Sequence, residues 1–152
     1  MLESVRTSRF YKGRDFNREP LTRQTIGETS LALHLQTNTH QKLFSGHGTG
    51  YVAVNGQRFQ QAIVVMSDAV HSNWDATDFA SLTPAHFAYF LELKPEVILL
   101  GTGAKQQFAH PNLYRDLINA GISIEFMDTP AACRTYNILV AEDRKVVAAV
   151  LL

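Results

Sequence analysis

Among 152 residues there is one cysteine, Cys133. No disulfide can form within the chain, which excludes the small secreted scaffolds that depend on such crosslinks and fits a reducing compartment. Neither charge is in excess: 14 Lys+Arg stand against 14 Asp+Glu. Such a surface sets up no field that gathers nucleic acid or anionic membrane non-specifically, and beyond a mild N-terminal excess no basic patch is visible. Nucleic acid is therefore not an expected partner. Long apolar runs are missing too, since Ile63–Met66 and residues 146–152 fall far short of the roughly 18–20 residues that a spanning helix needs. What remains is a globular composition, 45% hydrophobic, in a chain of one-domain length. The expectation is a soluble, cytoplasmic protein. An Arg- and Ser-containing start makes a mitochondrial location the alternative, against which its four acids count, because transit peptides avoid acids.

Residues 1–30 carry Arg6, Arg9, Lys12, Arg14, Arg18 and Arg23 against Glu3, Asp15, Glu19 and Glu28, with no apolar period. They read as a flexible or strap-like extension. A single α/β domain is expected over 31–152. It opens on Leu31, Leu33 and Leu35, whose alternation with Ala32, His34 and Gln36 has the period of a half-buried strand. Tyr51–Val54, Asn55-Gly56 and residues 58–66 read as a β-hairpin, because Asn-Gly supplies the positive φ values of a type I′ turn. The arm ends in Ile63-Val64-Val65-Met66 without alternation, as in a strand covered on both faces and central in its sheet.

After a loop over 67–82, helix and strand signals take turns. Thr83-Pro84 is a cap followed by proline at the first helical position, with Phe87, Phe90 and Leu91 as its apolar stripe and Lys94-Pro95 as its end. Residues 97–100 read as a short buried strand, Gly101-Thr102-Gly103 as a turn, and Pro111 as the start of a helix with Leu113, Leu117 and Ile118 inward and Gly121 as its C-terminal cap. Residues 122–127 form the next strand. Thr129-Pro130 repeats the cap signature before a helix with Ala132, Tyr136, Leu139 and Val140 on one face, and 146–152 closes as a strand. A β-rich first half followed by alternation predicts a three-layer α/β domain with a mixed sheet.

In an open α/β sheet, ligands collect beyond the carboxyl ends of parallel strands, which here are Gly101-Thr102-Gly103 and Asp128-Thr129-Pro130. Glycines admit a close ligand, and the helix opening at Pro130 offers N–H groups and a positive dipole end to a small anion, with Arg134 one turn in. The candidate ligand-binding residues are Gly101, Thr102, Gly103, Asp128, Thr129, Cys133 and Arg134. A bland account is open as well, in which the glycines serve a tight turn, Thr129 is a plain cap and Arg134 pairs with Asp128 or Glu125. Gln106 stands where a dinucleotide fingerprint has its third glycine, and no P-loop Lys-Ser/Thr pair is present. Cys133 in the first helical turn has no base near it in sequence and reads as a buried thiol. His34, His40, His47, His71, His86 and His110 show no metal-ligand spacing, so neither metal nor other cofactor is expected. Asp75 and Asp78 near Trp74 read as loop residues capping the next helix, with an acidic binding pair as the alternative, and Phe87, Tyr89 and Phe90 as core.

Two runs carry a resemblance: Val97-Ile-Leu-Leu-Gly-Thr-Gly103, and Ile124-Glu-Phe-Met-Asp-Thr-Pro-Ala-Ala-Cys-Arg-Thr-Tyr-Asn-Ile-Leu139 with Glu142-Asp143-Arg144 after it. Over roughly residues 31–152 the chain resembles a family of small domains of unknown function found in bacteria and archaea. That family also includes the mitochondrial respiratory complex I assembly factor and the adipogenesis-associated domain protein of animals. Residues 1–30 depart from the pattern. The resemblance implies a three-layer fold around a mixed sheet whose final strand runs antiparallel to its neighbours. It implies no catalytic reaction, and points to assembly of a respiratory or membrane complex through protein contacts. With no acid/base or nucleophile constellation in the sequence, the leading expectation is a non-enzymatic accessory protein that touches a membrane complex peripherally. It would carry an exposed apolar patch or a homo-oligomer interface. The alternative is a small-molecule binder or enzyme using the anion cleft.

Overall fold

Residues 146–151, Val-Val-Ala-Ala-Val-Leu, have no polar position on either face, and in the computed structural model they form the middle strand of a sheet covered on both sides. The structure describes residues 40–152; the extension expected over 1–30, its boundary and the strand expected from Leu31 lie outside these. The strands in chain order are β1 (Phe44–Gly48), β2 (Tyr51–Val54), β3 (Gln57–Phe59), β4 (Ile63–Met66), β5 (Ala69–His71), β6 (Val97–Thr102), β7 (Ser123–Met127) and β8 (Val146–Leu151). The helices are α1 (Pro84–Ala88), α2 (Arg115–Asn119) and α3 (Thr129–Ala141), with 3-10 turns at Phe79–Ser81, Tyr89–Leu93 and Pro111–Tyr114.

The mixed α/β architecture is as expected, with a five-stranded sheet ordered β5-β4-β8-β6-β7 and a three-stranded sheet β1-β2-β3. Because successive side chains of a strand point to opposite faces, β8 feeds two cores. Val146, Ala148 and Val150 join Ile63 and Val65 of β4, Val97 and Leu99 of β6, Val52 and Val54 of β2, and Ala132, Tyr136 and Val140 of α3. Val147, Ala149 and Leu151 join Ile98 and Leu100 of β6 with Phe87, Phe90, Leu117 and Trp74 on the other face. The layers are therefore α3 and the small sheet, the five-stranded sheet, and the short helices.

Strand β8 pairs in parallel with β6, from Val146↔Val97 to Leu151↔Thr102, and antiparallel with β4. The expectation of a final strand antiparallel to its neighbours thus holds on one side only. A helical crossover through α3 returns the chain beside β6 in the parallel sense, and β4 arrives from the hairpin region in the opposite one.

The hairpin turn forms as expected, with Asn55 at φ 49° and Gly56 at φ 85°, but its second arm is not one strand. It breaks after Phe59, and Ile63–Met66 crosses into the large sheet. Gln57 and Arg58 are exposed whereas residues 62–65 are all buried; such a change of environment cannot be met within one sheet. The Gln61 Nε2 donates to Ser72 O at 2.8 Å across the break. In its new sheet β4 lies between β5 and β8, internal as its unbroken apolar run requires.

Two helix expectations also change. Ile118 is 53% exposed while its neighbour Leu117 is fully buried. The opening turn, Pro111–Tyr114, is 3-10, and its three residues per turn rotate the following α2 away from the phase that a 3.6-residue period assigns. The cap of α3 is Asp128, whose carboxylate accepts from Ala131 N at 2.8 Å, so that Thr129 is the first helical residue. The first helix begins at Thr83-Pro84 as read, continues from α1 as 3-10 through Leu93, and stops at Lys94 in the left-handed region (φ 49°) before Pro95.

Trp74 is anchored here. Its Nε1 donates to His86 O at 3.0 Å, while His86 Nδ1 accepts from Thr83 N at 2.9 Å and Nε2 lies 2.7 Å from Asp75 O. These contacts fix the imidazole with its proton on Nε2. Asp75 thus offers only its carbonyl to His86, and Asp78 caps the next turn by accepting from Ser81 N at 2.9 Å. Replacing His86 with Ala is expected to cost about 1–2 kcal/mol by leaving a cap N–H and a loop carbonyl without partners. Urea unfolding of His86→Ala beside the parent chain measures it.

Candidate functional site

The chain reverses at the carboxyl ends of the parallel strands, and Thr129 ties these ends together. Its buried hydroxyl accepts from Gly103 N at 2.9 Å and donates to Leu151 O at 2.5 Å, and its own N–H donates to Gly103 O at 2.8 Å. Gly101 fits beneath. A Cβ there would lie 2.9 Å from Thr129 Oγ1 and 3.1 Å from both Thr129 Cα and Val150 Cγ1. The Thr102 hydroxyl, also buried, lies 2.5 Å from Lys105 O and accepts from Gln107 N at 3.1 Å, holding the loop that follows.

Beside this junction lies a cleft of about 450 Å³, lined by residues 47–51 at the β1–β2 tip, by Gly103 and Ala104, by Thr129 and Pro130, and by Leu152. Of the seven candidate residues, Gly103 and Thr129 line it. Gly101, Thr102 and Asp128 stand behind it in structural roles. Cys133 and Arg134 line a separate, shallower depression of about 230 Å³ with Phe44, Ser45, Gly46, His47 and Asn137. His47 borders both hollows. The strand tip was not legible as part of the site, although Gly46-His-Gly-Thr-Gly50, with three glycines in five residues, was a signal of close backbone approach.

The first turn of α3 offers little to an anion. Thr129 N bonds Gly103 O, Pro130 has no N–H, Ala131 N bonds the Asp128 carboxylate and Ala132 N bonds Asp128 O. The donors on which an anion site would draw are engaged within the chain, and the cap itself carries negative charge. Arg134 is exposed and pairs with neither Asp128 nor Glu125, nor with any other acid among the described residues.

Burial pushes the Cys133 thiol up to about 12, against which the neighbouring Arg134 charge and a backbone hydrogen bond act weakly. Burial likewise raises Tyr136, whose hydroxyl donates to Lys42 O at 2.8 Å. A thiol so held is no nucleophile near neutrality. Among the described residues no group of three or more His, Cys, Asp or Glu converges to hold a metal ion.

The fold and this junction define a three-layer α/β domain with a cleft beside the carboxyl ends of its parallel strands. The chain belongs to the family described as "Protein of unknown function (DUF498/DUF598)", which it matches over residues 44–151. It is 32% identical over 104 residues to the "13 kDa major membrane protein" of Francisella tularensis, covering 68% of this chain and 85% of that protein. It is 33% identical over 126 residues to the bovine "NADH dehydrogenase [ubiquinone] 1 alpha subcomplex assembly factor 3", covering 82% of this chain but 63% of that one. Among solved structures, a Bordetella parapertussis protein is similar at 41% identity and TM-score 0.69, over 73% of this chain and 95% of that chain. A Bordetella pertussis protein described as an Mth938-like domain is similar at 29% identity and TM-score 0.63, over 91% and 92%. Among the described residues no helix is long and apolar enough to cross a membrane.

One outcome follows from the junction and one from the buried thiol. Gly101→Ala is expected to cost about 1–3 kcal/mol, since the clash involves backbone and a packed Val150; denaturant unfolding measures the loss. The second outcome concerns alkali. Unfolded, Cys133 ionises near its ordinary 9.0, while folded it holds its proton to about 12. The unfolded chain therefore binds fewer protons across that window, so stability falls as pH rises from about 9 and is unaffected by this group below it. Urea midpoints at about pH 8 and about pH 10.5 are expected to diverge, and Cys133→Ala to diminish the divergence.

Proposed function

We propose that the protein is a non-enzymatic accessory factor that works by protein contact, helping to assemble a respiratory or other membrane-bound complex from its cytoplasmic surface. The bovine and zebrafish relatives that bear the name of a complex I assembly factor support this reading. The chain spans less than two thirds of each, 63% and 57%.

The observation that carries the proposal is Phe108. It is 72% exposed, on the loop between β6 and α2, with its ring 6.1 Å from that of Phe126 on the outermost strand β7. The same loop is held to that strand by Gln106 Nε2, which donates to Phe126 O at 2.9 Å. A large aromatic ring presented on an anchored loop suits the centre of a protein interface, where such side chains contribute most. Among the described residues the other large exposed apolar side chains, Ile118 and Ile138, lie on α2 and α3, on opposite sides of the large sheet. The anion-cleft alternative draws less support, because the amides it relies on are engaged.

In blue-native separation of gently solubilised membranes, the tagged chain is expected to comigrate with subunits of a respiratory subassembly. Phe108→Ala is expected to weaken that comigration at least about tenfold while leaving the circular dichroism unchanged. Migration only as the chain itself, or only with its own copies, overturns the proposal.

A further inference from the structure

We infer that the cleft under the β1–β2 tip binds an uncharged, planar small molecule of one or two rings with a hydrogen-bonding edge. This inference is independent of the assembly reading and concerns the opposite end of the loop from Phe108. At about 450 Å³ the cleft falls within the ~300–1,000 Å³ typical of small-molecule sites. Among its described lining residues there is no Lys, Arg, Asp or Glu. An ion of either sign would leave water without a compensating charge, which selects against charged ligands.

The walls favour a flat body. Gly48, Gly50 and Gly103 present bare backbone, and the floor carries the Pro130 ring and Leu152. Tyr51 forms a stiff side. Its ring lies over Gly48, where even a Cβ would collide with it, and the Arg58 guanidinium carbon sits 3.7 Å from the ring centroid on the neighbouring strand β3. The wall is therefore fixed before any ligand arrives, which lowers the ordering cost of binding.

Polar recognition comes from the roof. His47, Thr49 and Tyr51 all line the cleft, and none of their side chains is hydrogen-bonded to another described residue. By contrast the Thr129 hydroxyl at the floor has both its donor and its acceptor roles filled. A ligand edge carrying an N–H or a ring nitrogen can meet the roof groups, while its face packs on proline and backbone.

Indole and inorganic phosphate serve as probes, titrated separately into the 15N-labelled full chain. Indole is expected to shift the Gly48, Gly50, Gly103 and Ala104 amides saturably, and phosphate to leave them in place. Ala104→Trp and Thr49→Trp, each at an exposed position on a different wall, are expected to fill the cleft and weaken indole at least about tenfold. Shifts of these amides by phosphate alone, indole shifts centred elsewhere, no response to either probe, or unchanged indole affinity in both variants would overturn the inference.

Discussion

One buried hydroxyl organises the carboxyl end of this fold. Thr129 Oγ1 receives a hydrogen from the loop after β6 and gives one to the end of β8, so a single atom joins the first turn of α3 to two parallel strands. Serine lacks the methyl group and valine lacks the hydrogen bonds. A valine here would bury an unsatisfied N–H and C=O in place of one satisfied group, the costly side of hydrogen-bond exchange. Gly101 is the complement of that atom, since only a residue without a Cβ lets the helix start sit so close to β6.

From this junction the position of both hollows follows. The helix start is held close against the sheet, and Gly103 and Pro130 both line the larger cleft. The β1–β2 tip then overhangs that space, because the small sheet shares the α3 face of the large one. Cys133 and Arg134 lie further along α3 and so face β1 rather than its tip. One turn of helix separates a residue that lines the larger cleft from residues that do not.

Much of the fold was legible because strand burial leaves a direct trace in the sequence. The unbroken apolar runs of β4, β6 and β8 and the Asn-Gly turn required no tertiary information. The split of the hairpin arm did. Residues 58–66 are continuous as a strand pattern, and only competition between two sheets for Ile63–Met66 shows that they part. The phase of Ile118 was hidden for another reason, since a 3-10 opening turn leaves no mark on a helical period. At the site, Gly101 and Gly103 were legible as a turn and Thr129 as a helix start, at the carboxyl ends of two parallel strands. Their hydrogen-bond saturation was not, because whether an amide is free depends on a carbonyl some 26 residues away, as for Thr129 N and Gly103 O. His47 and Tyr51 were missed because nothing in sequence links a hairpin tip to a helix start.

The Asn137 side chain donates from Nδ2 to Phe44 O and accepts from Phe44 N on Oδ1, both within 2.9 Å. This double bond pattern is that of a neighbouring strand, offered instead by an amide on α3. Strand β1 is an edge of the small sheet, and an unpaired edge is a template on which another chain can add. Asn137 occupies that template at the position where Ser45 bulges the strand. Among the described residues the helix thus covers the sheet edge laterally at Phe44 with one side chain, where bare backbone groups would invite pairing from molecule to molecule.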